Sequence, residues 1–171
     1  MKVLVAFASK HGATEEIARS IAEILEAQGV PVDVRRMEDV VTALPYSAFI
    51  LGSAIYMGRW LREARSFVSE HAEILALRPT WLFSSGPIGS LPNSLESDSF
   101  DIPDLLATTR ARDHHVFGGK LNRAELGLAE RALAGALRAP SGDYREWDAV
   151  TAWTIAITRA LESEAVSGPA K

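Results

Sequence analysis

The chain has 171 residues, 47% of them hydrophobic and 23% charged, and a formal net charge of −4. That length and balance suit one globular domain with a sizeable core and exclude a disordered or fibrous chain. The acidic balance argues against nucleic acid as a partner, and with no cysteine in the chain disulfides, thiol catalysis and cysteine-held iron–sulfur clusters are excluded.

Residues 2–8, KVLVAFA, form a short continuous apolar run suited to a strand buried on both faces. Its apolar part stops at Ser9, Lys10 and His11, short of the roughly 7–15 residues of a signal-peptide core. Residues 13–29 place Ile17, Ile21, Ile24 and Leu25 at helical spacing, with Glu15 and Glu16 in the first turn and Gly29 after the last. Residues 30–37, VPVDVRRM, alternate as a second strand, nearer an edge because Pro31 lacks a donor. A third strand is expected at 48–55, AFILGSAI, and a helix at 60–76, with Leu61, Ala64, Val68, His71 and Leu75 on one stripe. TWLFSS, 80–85, reads as a fourth strand, and a loop rich in Gly, Pro and Ser covers 86–103. A short helix, IPDLLATTR, precedes a fifth strand at 114–121, HHVFGGKL. Residues 122–146 form an insertion before the last helix, 147–162, whose Trp147, Val150, Ile157 and Leu161 face one way. Residues 163–171 read as a flexible tail. No stretch approaches the ~20 apolar residues of a membrane span, so the cytoplasm is the expected location, with contact at a membrane surface left open.

Strands alternating with helices imply one α/β domain over 1–171. Its three layers are a five-stranded parallel sheet of order 2-1-3-4-5 with helices on both faces. Ligands in such sheets bind beyond the carboxyl ends of the strands, where the strand order reverses. The loops to inspect are therefore 9–14, 53–60 and 86–94, with 118–123 nearby.

The first of these, Ser9, Lys10, His11, Gly12, Ala13 and Thr14, opens a helix. Unpaired N–H groups and the helix dipole favour an anion there; Gly12 lets the backbone approach closely, and Ser9 and Thr14 add hydroxyls. The loop lacks the glycine spacing of a dinucleotide fingerprint and the Gly-Lys-Ser/Thr of a Walker loop. A second reading makes Thr14 a plain helix cap helped by Glu16.

SKHGATEEIA resembles the phosphate loop of the flavodoxins, Ser/Thr-x-Thr-Gly-x-Thr, with His11 where that family often has a hydroxyl residue. LGSAIYMGRWLREARSFVSEH and GDYREWDAV make the chain similar to the flavodoxin-domain branch related to the menaquinone-dependent protoporphyrinogen oxidases. The resemblance implies a flavodoxin-like fold holding flavin mononucleotide (FMN), a flavoprotein active in electron or hydride transfer. It implies that Ser9, Lys10, Gly12, Ala13 and Thr14 hold the phosphate. Residues 53–58 (Ser53, Ala54, Ile55, Tyr56, Met57, Gly58) and 85–90, including Ser85, Gly86, Pro87, Ile88 and Gly89, would flank the ring. Tyr56 and Trp60 could stack on a flat ring, Tyr56 above all; the other reading has them start the next helix and pack on its core side, and it weighs most for Trp60. Gly58 leaves a peptide unit free to reorient.

Two features depart from carrier flavodoxins, and a third departs from the protoporphyrinogen oxidase branch. The 86–94 loop holds no aromatic residue. The rim carries Lys10, His11, Arg59 and Arg62 where an acidic rim is usual, which suits an anionic substrate, cofactor tail or acidic partner. The 122–146 insertion is alanine-rich, where the matching insertion of the protoporphyrinogen oxidase branch is more basic and aromatic, which tells against quinone and porphyrinogen chemistry. No side chain stands out as a catalytic acid or base. His71 reads as a core histidine and His114 and His115 as structural, with no metal-binding spacing among the four histidines. The expected partners are the flavin and a redox partner protein or a small-molecule or quinone acceptor. Two alternatives are a deazaflavin coenzyme used for hydride transfer in the same fold, and a non-redox module for another phosphate ligand or a protein.

Overall fold

The structure, a computed structural model, describes residues 1–86, 101–121 and 142–167. The chain runs β1 (Val3–Ala8), α1 (Ala13–Ala27), β2 (Val32–Arg36), a 3-10 turn (Met37–Asp39), β3 (Ala48–Tyr56) and β4 (Arg59–Trp60). It continues with α2 (Arg62–Glu70), α3 (Ala72–Leu77), β5 (Thr80–Gly86), α4 (Ile102–Thr109), β6 (His114–Gly118), β7 (Lys120–Leu121), β8 (Gly142–Asp143) and α5 (Trp147–Ser167). The main sheet has the order β2-β1-β3-β5-β6, all parallel, with β4 added antiparallel to β3. Without the two-residue β4 this is the expected 2-1-3-4-5 sheet.

β1, the first six residues of β3 and the first six of β5 are buried throughout, which is why they read as unbroken apolar runs rather than alternating ones. Alternation sorts their side chains into two cores. Val3, Val5, Phe7, Ile50 and Phe83 meet α1 and α5 through Ile17, Ile21, Leu25, Val150, Trp153 and Ile157. Leu4, Ala6, Phe49, Leu51 and Leu82 meet the opposite layer through Phe67, Val68, Leu75, Ile102 and Leu105. Each fully buried Leu, Ile or Phe contributes about 1.5–3 kcal/mol. Thr154 and Thr158 are buried in α5 with their hydroxyls paired, each donating to the carbonyl four residues earlier, of Val150 and Thr154.

Several elements differ from the sequence-based expectation. The helix expected over 60–76 is a two-residue strand followed by α2 and α3, broken at His71, whose ring packs edge-on against Phe67 at 4.6 Å. The fifth strand stops at Gly118, and Lys120–Leu121 pair with Gly142–Asp143 in a separate antiparallel ribbon. A Cβ at Gly118 would stand 2.0 Å from the Tyr144 carbonyl oxygen, so only glycine admits this crossing. The last helix runs on to Ser167, past the expected end at 162. Trp147 is off its buried stripe, 39% exposed, with the Arg145 guanidinium 4.7 Å from its ring centroid. Residues 122–141 of the insertion and the end of the tail lie outside the described residues.

Candidate cofactor site

The turn from β1 into α1 is built on Gly12, whose φ of 83° is left-handed, a conformation that costs other residues roughly 1–2 kcal/mol. The Gly12 N–H donates to the Ser9 hydroxyl at 3.0 Å, and the Gly12 carbonyl accepts from Glu16 N–H at 2.9 Å. No side chain caps α1, so Thr14 is not the cap that the second reading supposed. Thr14 sits inside the helix, buried, with its hydroxyl 2.7 Å from the Ser85 hydroxyl at the end of β5. That contact ties the first loop to the carboxyl end of β5.

Acids in a first helical turn suit the dipole but oppose a bound anion. Here both are engaged by arginine. Glu15 pairs with Arg19 at 2.8 Å and Arg36 at 2.7 Å, and Glu16 pairs with Arg145 at 2.5 Å. Arg145 also grips Asp143 through Nε at 2.7 Å and Nη2 at 2.5 Å. Those hydrogen bonds hold the Asp143 carboxyl down at about 2, and Asp143 with Glu16 raises Arg145 in turn. Nothing in the sequence announces the contact of Arg145 with Glu16, because Glu16 lies 129 residues away in α1.

The second wall is a hairpin. β3 and β4 pair Ile55 with Trp60 and Tyr56 with Arg59, leaving Met57 and Gly58 as a two-residue loop. Both have positive φ, 50° and 73°, the signature of a type I′ turn. The register divides the two candidate aromatics. Tyr56 faces outward, 38% exposed, with Lys10 Nζ 4.2 Å from its ring centroid. Trp60 is 1% exposed and belongs to the core that contains Phe67 and Leu82. It therefore packs inward, not toward the loop cluster. Ser53 is buried and fastens the hairpin's base, its hydroxyl donating to the Ala54 carbonyl and accepting from Leu61 N–H.

Two anchors escaped sequence reasoning. Asp101 precedes Ile102-Pro103, a plain cap signal, yet its side chain does not cap α4. Its carboxylate instead accepts the Trp60 N–H at 3.1 Å, with Arg65 Nε 3.8 Å away. Ser84 Oγ accepts the Trp60 indole N–H at 2.8 Å and lies 2.8 Å from His114 Nε2. Burial keeps His114 below the usual histidine pKa. His115, on the opposite side of the strand, packs on Phe117 and Trp153.

The described loops thus bring together Ser9, Lys10, Gly12, Thr14, Tyr56 and Ser85. Ala13 is buried beneath the helix start, Ala54 and Ile55 are half-buried in β3, Met57 is exposed at the turn, and His11 is exposed in the first loop. Among the described residues, a Cβ at Gly12 or Gly86 would meet nothing within 4 Å. Pro87, Ile88 and Gly89 lie outside the described residues. Among the described residues no group of histidine and acidic side chains could hold a metal ion, and no helix is long and apolar enough to cross a membrane.

A family model described as Flavodoxin domain matches residues 4–148. The chain is 28% identical over 94 residues to the protoporphyrinogen IX dehydrogenase (quinone) of Escherichia coli strain K12, covering 54% of this chain and 52% of that protein. It thus spans about half the length of the curated relatives it matches. Among solved structures, oxidised Flavodoxin 2 from Bacillus cereus matches with a TM-score of 0.66 at 24% identity, over 94% of this chain and 99% of that one. The rubredoxin oxygen:oxidoreductase of Desulfovibrio gigas matches with a TM-score of 0.63 at 15% identity, over 95% of this chain and 36% of that one. At these identities both speak for the fold.

Proposed function

The chain belongs to the flavodoxin domain family, and from that premise we propose that it binds FMN at the carboxyl ends of β1, β3 and β5 and serves in electron or hydride transfer. The observation that carries the reading is the start of α1. This is a helix with no side-chain cap, opened by a left-handed glycine whose Cβ position meets nothing within 4 Å among the described residues, with its first-turn acids engaged by arginine. Such an end offers N–H donors and a positive dipole to a phosphate.

The residues present fit that group. Ser9 and the backbone of residues 10–14 would hold the phosphate. Tyr56 offers a half-exposed aromatic face, with the Met57-Gly58 peptide beside it, and Ser85 and Gly86 bring backbone polar groups from β5. FMN, when bound, supplies the redox chemistry. The protein's share is to fix the phosphate, cover one ring face, and hold the hairpin rigid through Asp101, Ser53 and Ser84.

Within this reading the acceptor is a quinone, the acceptor class in the name of the Escherichia coli relative, and the setting is the cytoplasm. The reduced protein is then reoxidised by a soluble quinone; reoxidation only by a protein partner would favour a carrier. The test of the cofactor is the visible spectrum of the purified protein, followed by titration with FMN and with a deazaflavin. Tight uptake of FMN supports the reading. Uptake of the deazaflavin alone would move the assignment to the hydride-only coenzyme, and uptake of neither would favour a non-redox module.

A further inference from the structure

Behind the hairpin runs a buried hydrogen-bond relay whose direction is fixed by chemistry. Ser84 is 0% exposed, and its hydroxyl has two partners among the described residues, the Trp60 indole Nε1 at 2.8 Å and His114 Nε2 at 2.8 Å. An indole N–H only donates, so Ser84 Oγ accepts from Trp60. The Ser84 proton must then go to His114 Nε2, which requires that nitrogen to be bare and the ring proton to sit on Nδ1. A proton added at Nε2 turns this acceptor into a second donor. Ser84 then faces two donors while its own buried proton has no acceptor, and a buried donor left unpaired costs more than a typical hydrogen bond contributes.

We propose that His114 is a positioning residue: acting through Ser84 while its Nε2 is unprotonated, it holds Trp60 and with it the β3–β4 hairpin, and protonation releases that hold. Trp60 pairs across the hairpin with Ile55, next to the Tyr56–Arg59 pair at the turn. A loosened Trp60 therefore loosens the wall that carries Tyr56; the consequence for ligand binding rests on the flavin reading above. The groups around His114 that carry or can take charge come from several elements. Asp113 precedes it and opposes the effect of burial, with one oxygen taken by the Trp153 indole N–H from α5, while His115 adds to that effect. β5 carries no charged residue, and the one charged residue of α4, Asp104, is exposed, as is Arg110 after it. Arg112 pairs with Glu164 of α5, and beyond Trp60 the Arg65 guanidinium lies against Asp101. Burial is the largest influence on His114 and lowers its pKa. The hold is thus kept at neutral pH and lost as pH falls through a midpoint below the ordinary histidine value of about 6.5.

The test follows the whole nitrogen-labelled chain by NMR from pH 8 to pH 5, first without added flavin. At pH 8 the His114 ring proton should sit on Nδ1. As His114 takes up its second proton, the Trp60 indole N–H resonance should move with the same midpoint, and its protection from hydrogen exchange should fall about two- to tenfold, the scale of one net hydrogen bond. His114→Gln supplies an acceptor that does not titrate and should hold Trp60 in its neutral-pH state throughout. His114→Phe keeps a ring but no acceptor and should show the acid state at every pH. Riboflavin, which lacks the phosphate and its proton of pKa about 6, then reads the site. Between pH 7.5 and pH 5 its affinity should fall about two- to tenfold further in wild type than in His114→Gln, a comparison in which the titration of His11 in the first loop cancels. A proton on Nε2 at pH 8, a Trp60 resonance that ignores the His114 titration, or a His114→Gln chain with the wild-type pH dependence overturns the proposal. The tautomer and the shared midpoint are read in wild type, so they decide the matter even where His114→Phe fails to fold. Wild type that takes up no flavin refutes the flavin reading, whereas the relay stands or falls on the resonances alone.

Discussion

Gly12 is the position where charge can be separated from shape. Its φ of 83° penalises any side chain, yet a Cβ there meets nothing within 4 Å among the described residues, so a small residue is strained but meets no described neighbour. Gly12→Asn and Gly12→Asp share that strain, about 1 kcal/mol, at the mild end for residues that tolerate left-handed backbone. Neither gains a proper cap, because a capping side chain needs extended backbone at this position. The two variants should therefore unfold at similar urea midpoints. They differ by one negative charge about 4 Å from a bound phosphate, an interaction of roughly 1 kcal/mol per unit charge in water and 4 at an effective dielectric of 20. Counting one unit of phosphate charge, Gly12→Asp should thus bind FMN about 1–4 kcal/mol more weakly than Gly12→Asn, or roughly 5- to 1000-fold. Riboflavin, which lacks the phosphate, should be weakened equally by both changes. The assay is titration followed by flavin fluorescence. FMN affinities for the two variants within about threefold of each other would refute a phosphate at this helix start.

Three further expectations concern stability. An alanine at position 52 would place its Cβ 1.9 Å from Phe83 Cζ, in a ring cluster with Phe117 and Trp153. Gly52→Ala should cost about 3 kcal/mol by urea unfolding, and Phe83→Leu in the same chain should recover part of it. Met57 is 78% exposed with φ 50°; Met57→Asn should raise stability by about 0.5–1 kcal/mol, since asparagine tolerates left-handed backbone and Asn-Gly is the favoured type I′ pair. Asp143, held at about 2 by its hydrogen bonds from Arg145, lies below the ordinary unfolded value near 3.9. Its contribution is therefore complete above that value and is lost as pH falls from about 4 to about 2. Asp143→Asn should flatten that limb, seen as a smaller drop in urea midpoint between pH 7 and pH 3.

The fold was legible because its signals are local. The apolar runs of β1, β3 and β5 carry no alternation, which fits strands covered on both faces, and α1 repeats its apolar positions at helical spacing between clear boundaries. The first loop was legible for the same reason: Gly12 sits between a strand and a helix, and its neighbours are in sequence. What stayed hidden depends on distant partners. Asp101 reads as a helix cap but serves Trp60, 41 residues away in sequence. Arg145 reads as an ordinary surface arginine, yet its side chain is 4% exposed and reaches Glu16, 129 residues away. Periodicity along one segment carries no trace of either contact.

The two aromatics of the 53–60 stretch mark the boundary between these cases. Composition alone offers both Tyr56 and Trp60 to a flat ligand, and a helix beginning at residue 60 would have let both lie near the loop cluster. A two-residue turn changes this. Once Met57 and Gly58 close the hairpin, Ile55 is paired with Trp60 and Tyr56 with Arg59, and adjacent pairs in a strand face opposite sides. One aromatic must then enter the core while the other faces out, and a slip of one residue would exchange them. Trp60 is fixed as the inward one because its indole N–H finds Ser84 and its backbone N–H finds Asp101, leaving no buried donor unpaired. The single exposed aromatic of the hairpin, and the cation that rests on it, follow from the turn rather than from the residues' chemistry.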